Sequence, residues 1–167
     1  LPSGSRFRGP SDPGVWYGAD EVRTACAELG YWRWRFLLAS PELGALAARP
    51  QSVFRARLRG ETIDLRAPPF AAARAAWTDP DDYSGCQALA RLAREAGIAM
   101  VRYESVRDPR RGGCGAVLAV DAFAAPEPTE LQTWLLEVGR ERVTWTPASP
   151  LAGGRFEFRF PAPPSAP

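Results

Sequence analysis

The amino-acid sequence predicts an α+β domain with a few helices and a mostly antiparallel sheet. Apolar residues at helical spacing come early in the chain, whereas alternating segments typical of strands dominate its second half. This order differs from the regular strand–helix alternation that builds a parallel sheet. The chain has 167 residues, enough for one domain with a buried core. We therefore predict one compact domain over residues 1–160 and a disordered, proline-rich tail over residues 161–167.

Two helices are predicted after a Gly/Pro-rich N-terminal loop. The first begins at an N-cap, Asp20, and continues to about Leu38. The second covers residues 83–96, between a turn and capping signal at residues 79–82 and a C-terminal Gly97. Its apolar face consists of four residues at helical spacing: Cys86, Leu89, Ala90 and Ala93.

The strands are predicted from apolar runs and from alternation. Phe54, Ala56 and Leu58 alternate with arginines, which predicts a half-buried strand, and residues 61–65 are predicted to pair beside it across Gly60. The glycine-rich residues 112–115 are predicted to form the turn between two strands. The other predicted strands are residues 15–17, 98–103, 116–120, 131–138, 142–146 and 155–160.

The composition excludes several kinds of site. The 21 basic residues are all arginines, and histidine is absent, so a serine nucleophile would have no histidine base. The three cysteines are widely spaced and form no CxxC pair, so no zinc site is predicted and the thiols are expected to be reduced. No signal peptide or membrane-spanning apolar run is present, and we expect a cytoplasmic protein. The chain begins at Leu1, so the sequence leaves open whether native residues precede it.

The aromatic and basic segment at residues 31–36 (YWRWRF) has two interpretations. Aromatic rings and arginines together can stack on nucleic-acid bases. At helical spacing, however, alternate rings fall on different faces, so some of them belong to the core. The arginines are scattered along the chain and the net charge is only +2, and we therefore favour the core interpretation and expect no direct nucleic-acid binding.

A few polar residues stand where chemistry is feasible. Arg6 and Arg8 lie on the N-terminal loop, where a planar guanidinium can bind two phosphate oxygens. Tyr17 follows the start of a strand, Glu28 lies beside the apolar stripe of the first helix, and Ser105 ends a buried strand. Each of them, taken alone, also fits an ordinary structural role.

Taken in order, four segments resemble the RES domain family, which is named for its Arg, Glu and Ser. These segments are residues 4–7 (GSRF), 14–19 (GVWYGA), 24–28 (TACAE) and 103–109 (YESVRDP). Residues 81–89 (DDYSGCQAL) also resemble the start of the family's central helix. The resemblance extends approximately over residues 4–120.

The resemblance implies the fold of ADP-ribosyltransferases, NAD as the substrate and no metal. It places the family arginine at Arg6, with Arg8 as the alternative, and the tyrosine at Tyr17. The glutamate falls on Glu28 and the serine on Ser105. By this resemblance, Glu28 stabilises charge on the ribose and holds a ribose hydroxyl, and Arg6 binds ligand oxygens. Tyr17 stacks on nicotinamide or shapes its pocket. Ser105 hydrogen-bonds to the ligand and orients Glu28.

The resemblance also implies the toxin of a bacterial toxin–antitoxin pair, with an antitoxin that carries an Xre-like (Cro/repressor-like) DNA-binding domain. The acceptor stays open: water gives an NAD glycohydrolase, phosphate a phosphorylase, and a protein side chain a mono-ADP-ribosyltransferase. We favour NAD degradation, because no surface for docking a protein target is identifiable in the sequence. The alternative of another class is a non-catalytic binding module, in which Arg6, Glu28 and Ser105 are structural.

Overall fold

A computed structural model describes residues 4–161, so the predicted tail lies, except for residue 161, outside the described residues. The described helices are α1 (Val22–Leu38), α2 (Arg74–Trp77) and α3 (Ser84–Glu95). The strands are β1 (Trp16–Ala19), β2 (Ala45–Arg55), β3 (Thr62–Asp64), β4 (Met100–Glu104), β5 (Gly113–Val117), β6 (Thr129–Gly139), β7 (Val143–Pro147) and β8 (Phe156–Phe158). They form two mostly antiparallel sheets, which confirms the predicted α+β class. The chain divides into two compact units, and α1 passes from one to the other between Ala25 and Cys26.

Unit 1 contains residues 56–128 and the part of the chain before Cys26. Its sheet has the order β1-β5-β4-β3, in which only the β3–β4 pair is parallel. Helix α3 buries a face of small side chains, which allows its backbone to approach closely. The core consists of Phe7, Leu65, Cys86, Ala90, Ala93, Val101, Tyr103, Cys114, Ala116 and Leu118.

Residues 79–82 form the predicted turn before α3, but the N-cap is Tyr83, which makes no side-chain capping hydrogen bond, and the C-cap is Ala96 and not the predicted Gly97. Asp79 Oδ1 accepts the backbone N–H groups of Asp81 and Asp82 at 2.9 and 2.7 Å. Asp82 Oδ1 accepts the N–H of Ser84 at 2.8 Å. These backbone N–H groups hold the pKa values of Asp79 and Asp82 below their usual range. At the other end, Gly97 has φ of 72°, the left-handed conformation that glycine adopts most easily.

Unit 2 contains residues 26–55 and 129–161 of the described chain. Its sheet is antiparallel throughout, with the order β2-β6-β7-β8. Helix α1 packs closely on β7, because a Cβ added at Gly30 would lie 3.0 Å from Val143 Cγ1. Trp34 Nε1 donates to Arg140 O at 2.7 Å. This contact ties the C-terminal half of α1 to the turn between β6 and β7.

The aromatic segment at residues 31–36 is shared between core and surface. Tyr31 and Trp34 are buried, with ring centroids 5.3 and 5.5 Å from that of Phe160. Trp32 and Phe36 are 41% and 56% exposed. The prediction that only some of these rings belong to the core is therefore confirmed. All three cysteines are buried and free, as expected.

The strand predicted at residues 54–59 is wrong. Strand β2 ends at Arg55, and Leu58 only forms an isolated bridge with Phe123. Residues 62–64 do form a strand, but it pairs in parallel with β4 and not beside β2. The alternation was misleading because Phe54 is 43% exposed. Most of β2 is exposed at a sheet edge, where a proline such as Pro50 is tolerated.

The glycine-rich residues were also misassigned. Gly113 and Gly115 lie inside β5, so the turn precedes them and the predicted strand at residues 116–120 begins earlier and ends at Val117. Gly113 allows a close approach, since a Cβ there would lie 2.1 Å from Asp20 Oδ2. The predicted N-cap is wrong by one residue, because the first helical bond runs from Ala25 N to Glu21 O. The Asp20 carboxylate forms an ion pair with Arg102 instead.

Trp134→Ala is expected to lower the free energy of unfolding by about 3–5 kcal/mol, because it leaves a large cavity in the core of unit 2. The Trp134 side chain is fully buried and stacks on Phe156, with ring centroids 5.1 Å apart. Leu131→Ala on the same strand is the matched control, since Leu131 is 71% exposed. Urea unfolding of both variants checks this, and equal losses would contradict the described packing.

Candidate functional site

The loop that carries Arg6 is closed by its own backbone. Ser5 N donates to Arg8 O at 2.7 Å, and Arg8 N donates to Ser5 O at 3.1 Å. Gly4 has φ of 78°, and a Cβ there would lie 2.0 Å from Arg8 O, so this position requires glycine. The Phe7 side chain is fully buried in the core of unit 1. The loop therefore holds Arg6 next to Phe7, whose side chain is buried in the core.

Tyr17 fixes this loop on both sides of Arg6. Its hydroxyl forms a hydrogen bond of 2.8 Å with Ser5 Oγ and accepts the N–H of Phe7 at 3.0 Å. Burial raises the pKa of Tyr17, so the hydroxyl stays protonated at neutral pH. The resemblance predicts that Tyr17 stacks on nicotinamide or shapes its pocket. The structure assigns its hydroxyl to the loop.

Arg6 is a buried cation that forms no direct ion pair with a carboxylate among the described residues. Its side chain is only 9% exposed, and no ion pair involves it within the described part of the chain. Its Nη1 donates to Trp77 O at 3.0 Å, and its guanidinium lies 4.6 Å from the ring centroid of Tyr83. A carbonyl and an aromatic face stabilise a guanidinium only in part. The guanidinium charge of Arg6 is therefore only partly compensated by these two contacts.

Asp79 is close enough to Arg6 that the guanidinium charge helps to lower the pKa of this carboxyl, but the two form no ion pair among the described residues. The Cys86 Sγ lies 3.7 Å from Trp77 O, and burial raises the pKa of its thiol, which keeps it neutral. Arg8 is in a different setting: it is half-buried, and its Nε donates to Asp12 O at 3.2 Å. Of the two arginines that the sequence left open, Arg6 is the buried one.

Ser105 closes the turn that follows β4. Its Oγ accepts the backbone N–H groups of Arg107 and Asp108 at 3.2 and 2.9 Å. The Ser105 residue is fully buried, so its polar atoms serve contacts within the protein. Arg107 extends from this turn and donates to Tyr83 Oη at 3.3 Å. The structure therefore brings the Ser105 turn and Arg6 to the same tyrosine.

Glu28 lies on α1, in the part of that helix that belongs to unit 2, whereas Arg6, Tyr17 and Ser105 belong to unit 1. Its side chain is half-buried. Within the helix it follows Thr24 by four residues, which places both side chains on one face. The structure thus groups three of the four predicted residues in one unit and puts the fourth on the helix that leaves that unit.

Possible metal clusters, cavities and membrane-spanning helices among the described residues add nothing to this site. Over residues 4–161, no cluster of three or more Cys, Asp or Glu side chains could hold a metal ion. A cavity of about 670 Å³ lies at the C-terminal end of α3, lined in part by Arg94 and Gly97, and contains none of the predicted site residues. No helix described here is long and apolar enough to cross a bilayer.

Comparison with family models shows to which family the chain belongs. Residues 1–145 match the family model of the RES domain, which covers most of the 167 residues and every predicted site residue. The chain belongs to the RES domain family. The family is associated with toxins and with NAD-related functions. No curated protein sequence matches the chain.

Two residues of this RES domain support Arg6 and were not predicted as site residues. Gln87 Nε2 donates to the carbonyl oxygens of Ser5 and Arg8 at 3.0 and 3.3 Å, which clamps the loop from α3. Tyr83 supplies the aromatic face below the guanidinium. Both lie in the segment at residues 81–89, which the sequence singled out only as a helix start. Their side-chain roles depend on tertiary contacts that no local pattern shows.

Proposed function

We propose that this RES domain cleaves NAD at the nicotinamide–ribose bond and acts as the toxin of a bacterial toxin–antitoxin pair. The observation that carries the proposal is Arg6, a buried guanidinium that forms no direct ion pair with a carboxylate among residues 4–161. An arginine remains charged at any physiological pH, and a buried guanidinium without a direct ion pair is stabilised further when an anion binds to it. The pyrophosphate of NAD is such an anion, and its oxygens can accept two parallel hydrogen bonds from the planar guanidinium.

The chemistry requires little acid–base assistance. When the bond between C1′ of the ribose and the nicotinamide nitrogen breaks, its electron pair leaves with nicotinamide, which becomes neutral. Positive charge then develops on C1′ and the ring oxygen, as in other glycosidic cleavages. A fixed carboxylate stabilises this charge strongly in a site without water. Glu28 is the residue that we propose for this role, on the basis of the family resemblance.

The remaining residues bind and orient. Arg6 holds the pyrophosphate, and Tyr17 keeps the Arg6 loop in place through its bonds to Ser5 and Phe7. Ser105 acts within the turn after β4, where its hydroxyl accepts two backbone N–H groups. No step needs a histidine, because nicotinamide leaves as a neutral base.

Tyr17→Phe is expected to raise the KM for NAD about 10-fold, because the Arg6 loop loses two hydrogen bonds worth about 1 kcal/mol each. The ring remains, so thermal unfolding should show only a modest loss of stability. Tyr31→Phe is the matched control: it removes the acceptor of a bond from Arg35 within α1. A KM that changes equally in both variants would contradict the role of Tyr17.

The proposed partner is an antitoxin with an Xre-like DNA-binding domain, and the proposed outcome of expression without it is NAD depletion. Growth arrest on expression of the wild-type chain, with a fall in cellular NAD, tests the toxin assignment. Arrest without a fall in NAD would contradict it.

The acceptor is tested by following products from NAD with and without inorganic phosphate. We propose NAD degradation, in which an oxygen of water or phosphate bonds to C1′ as nicotinamide departs. Water yields ADP-ribose and one proton, and phosphate yields ADP-ribose phosphorylated at that same carbon; mass spectrometry distinguishes the two. Nicotinamide release only in the presence of a protein acceptor would assign a mono-ADP-ribosyltransferase instead.

A further inference from the structure

Asp108 is a buried carboxylate that the proposed mechanism does not use. It is 1% exposed, and its Oδ2 accepts the hydroxyl of Thr24, itself 1% exposed, at 2.9 Å. Its Oδ1 accepts the N–H of Arg110 at 3.1 Å and lies 3.5 Å from Arg23 Nε. Such a buried charge is retained only with this set of partners. The carboxylate therefore joins the turn after β4 to the first turn of α1.

The turn and the helix also touch through a glycine. A Cβ added at Gly112 would lie 2.1 Å from Thr24 Oγ1 and 3.1 Å from Thr24 Cβ, so any side chain there would force the two segments apart. Ser105 belongs to the same assembly, because its Oγ accepts the N–H of Asp108 at 2.9 Å. Asp108 and Gly112, both within residues 105–112, thus contact Thr24 from the turn after β4.

Thr24 connects the turn after β4 to Glu28 through helix α1. Four residues separate Thr24 from Glu28, about 6 Å along the axis, and the two side chains share one face of α1. We propose that Asp108 and Thr24 are positioning residues for NAD cleavage, which set the place of Glu28 by fixing the first turn of α1. The inference rests on the proposed function. It gives Ser105 an indirect role, through Asp108 and Thr24, in place of contact with the ligand.

Thr24→Val tests the inference, because it removes the hydroxyl and keeps the shape. We expect kcat for nicotinamide release to fall at least about 10-fold while the KM for NAD changes less than about 2-fold, since a displaced Glu28 affects the transition state and not the binding of the pyrophosphate. Thr24→Ser keeps the hydroxyl and should recover most of kcat. Thr133→Val, at an exposed position of β6, controls for the Thr-to-Val change.

Gly112→Ala probes the same contact from the other side and keeps the test valid if Thr24→Val does not fold. It should also lower kcat with little change in KM. A kcat of Thr24→Val near the wild-type value, or an equal loss in Thr24→Ser, would overturn the inference. Wild-type protein and Glu28→Gln serve as references. No release by the wild type would overturn the proposed function as well, whereas an active wild type with an inactive Glu28→Gln leaves that function standing and tests the inference alone.

Discussion

Arg6→Lys is expected to weaken the binding of ADP-ribose about 100-fold, although it preserves the charge. Lysine cannot form the two parallel bonds that a guanidinium makes to a pyrophosphate, and each charge-assisted bond contributes about 1.5–3 kcal/mol. ADP-ribose is the suitable probe, because it contains the pyrophosphate and lacks the scissile bond. Calorimetric titration measures the change, and Arg8→Lys is the matched control from the same loop. Equal loss in both variants would contradict the assignment to Arg6.

Stability gives a second, independent test of Arg6. Arg6→Met removes a buried charge that forms no direct ion pair with a carboxylate among the described residues and keeps an apolar side chain of similar length. Such replacements are often neutral or stabilising, so the melting temperature should stay the same or rise while NAD cleavage is lost. If Arg6 served only to stabilise the fold, its replacement by methionine would lower the melting temperature. A large fall in melting temperature, with ADP-ribose binding retained by Arg6→Lys, would assign Arg6 to the fold.

Glu28→Gln is expected to lower kcat for nicotinamide release at least about 1000-fold, because an amide cannot neutralise the charge that develops on the ribose. Binding of ADP-ribose should change less than about 3-fold, since that ligand carries no such charge. Single-turnover measurement separates the chemical step from binding. Glu21→Gln is the control, an exposed glutamate just before the same helix. Retained cleavage in Glu28→Gln would contradict the proposed mechanism.

The elements that the sequence predicted well are those with local signals. The acidic turn at residues 79–82, the small apolar face and Gly97 together delimit α3, and strict alternation indicates β8. Strand β2 was missed because an exposed edge strand has neither an apolar face nor a continuous apolar run. The glycines of β5 were assigned to a turn because sequence alone does not distinguish glycines that bend a chain from glycines that clear space for a neighbour.

The family resemblance indicated which residues form the candidate site. Their individual roles depend on tertiary contacts, which the sequence does not show. The resemblance indicated Arg6, and the structure adds that this arginine is buried on Tyr83 beside the Trp77 carbonyl. Tyr17 was singled out for its ring, yet its hydroxyl holds the loop. The bond between Thr24 and Asp108 spans 84 positions in sequence, a separation at which no periodicity or spacing indicates a contact.

The most direct measurement is the proton NMR spectrum of NAD incubated with the wild-type chain and no antitoxin, recorded over time in buffers with and without phosphate. The account predicts that free nicotinamide signals grow as those of NAD decline, in stoichiometric amounts, with ADP-ribose or its phosphate as the second product. NAD that stays intact in both buffers, with a correctly folded protein, would contradict the claim that this RES domain degrades NAD.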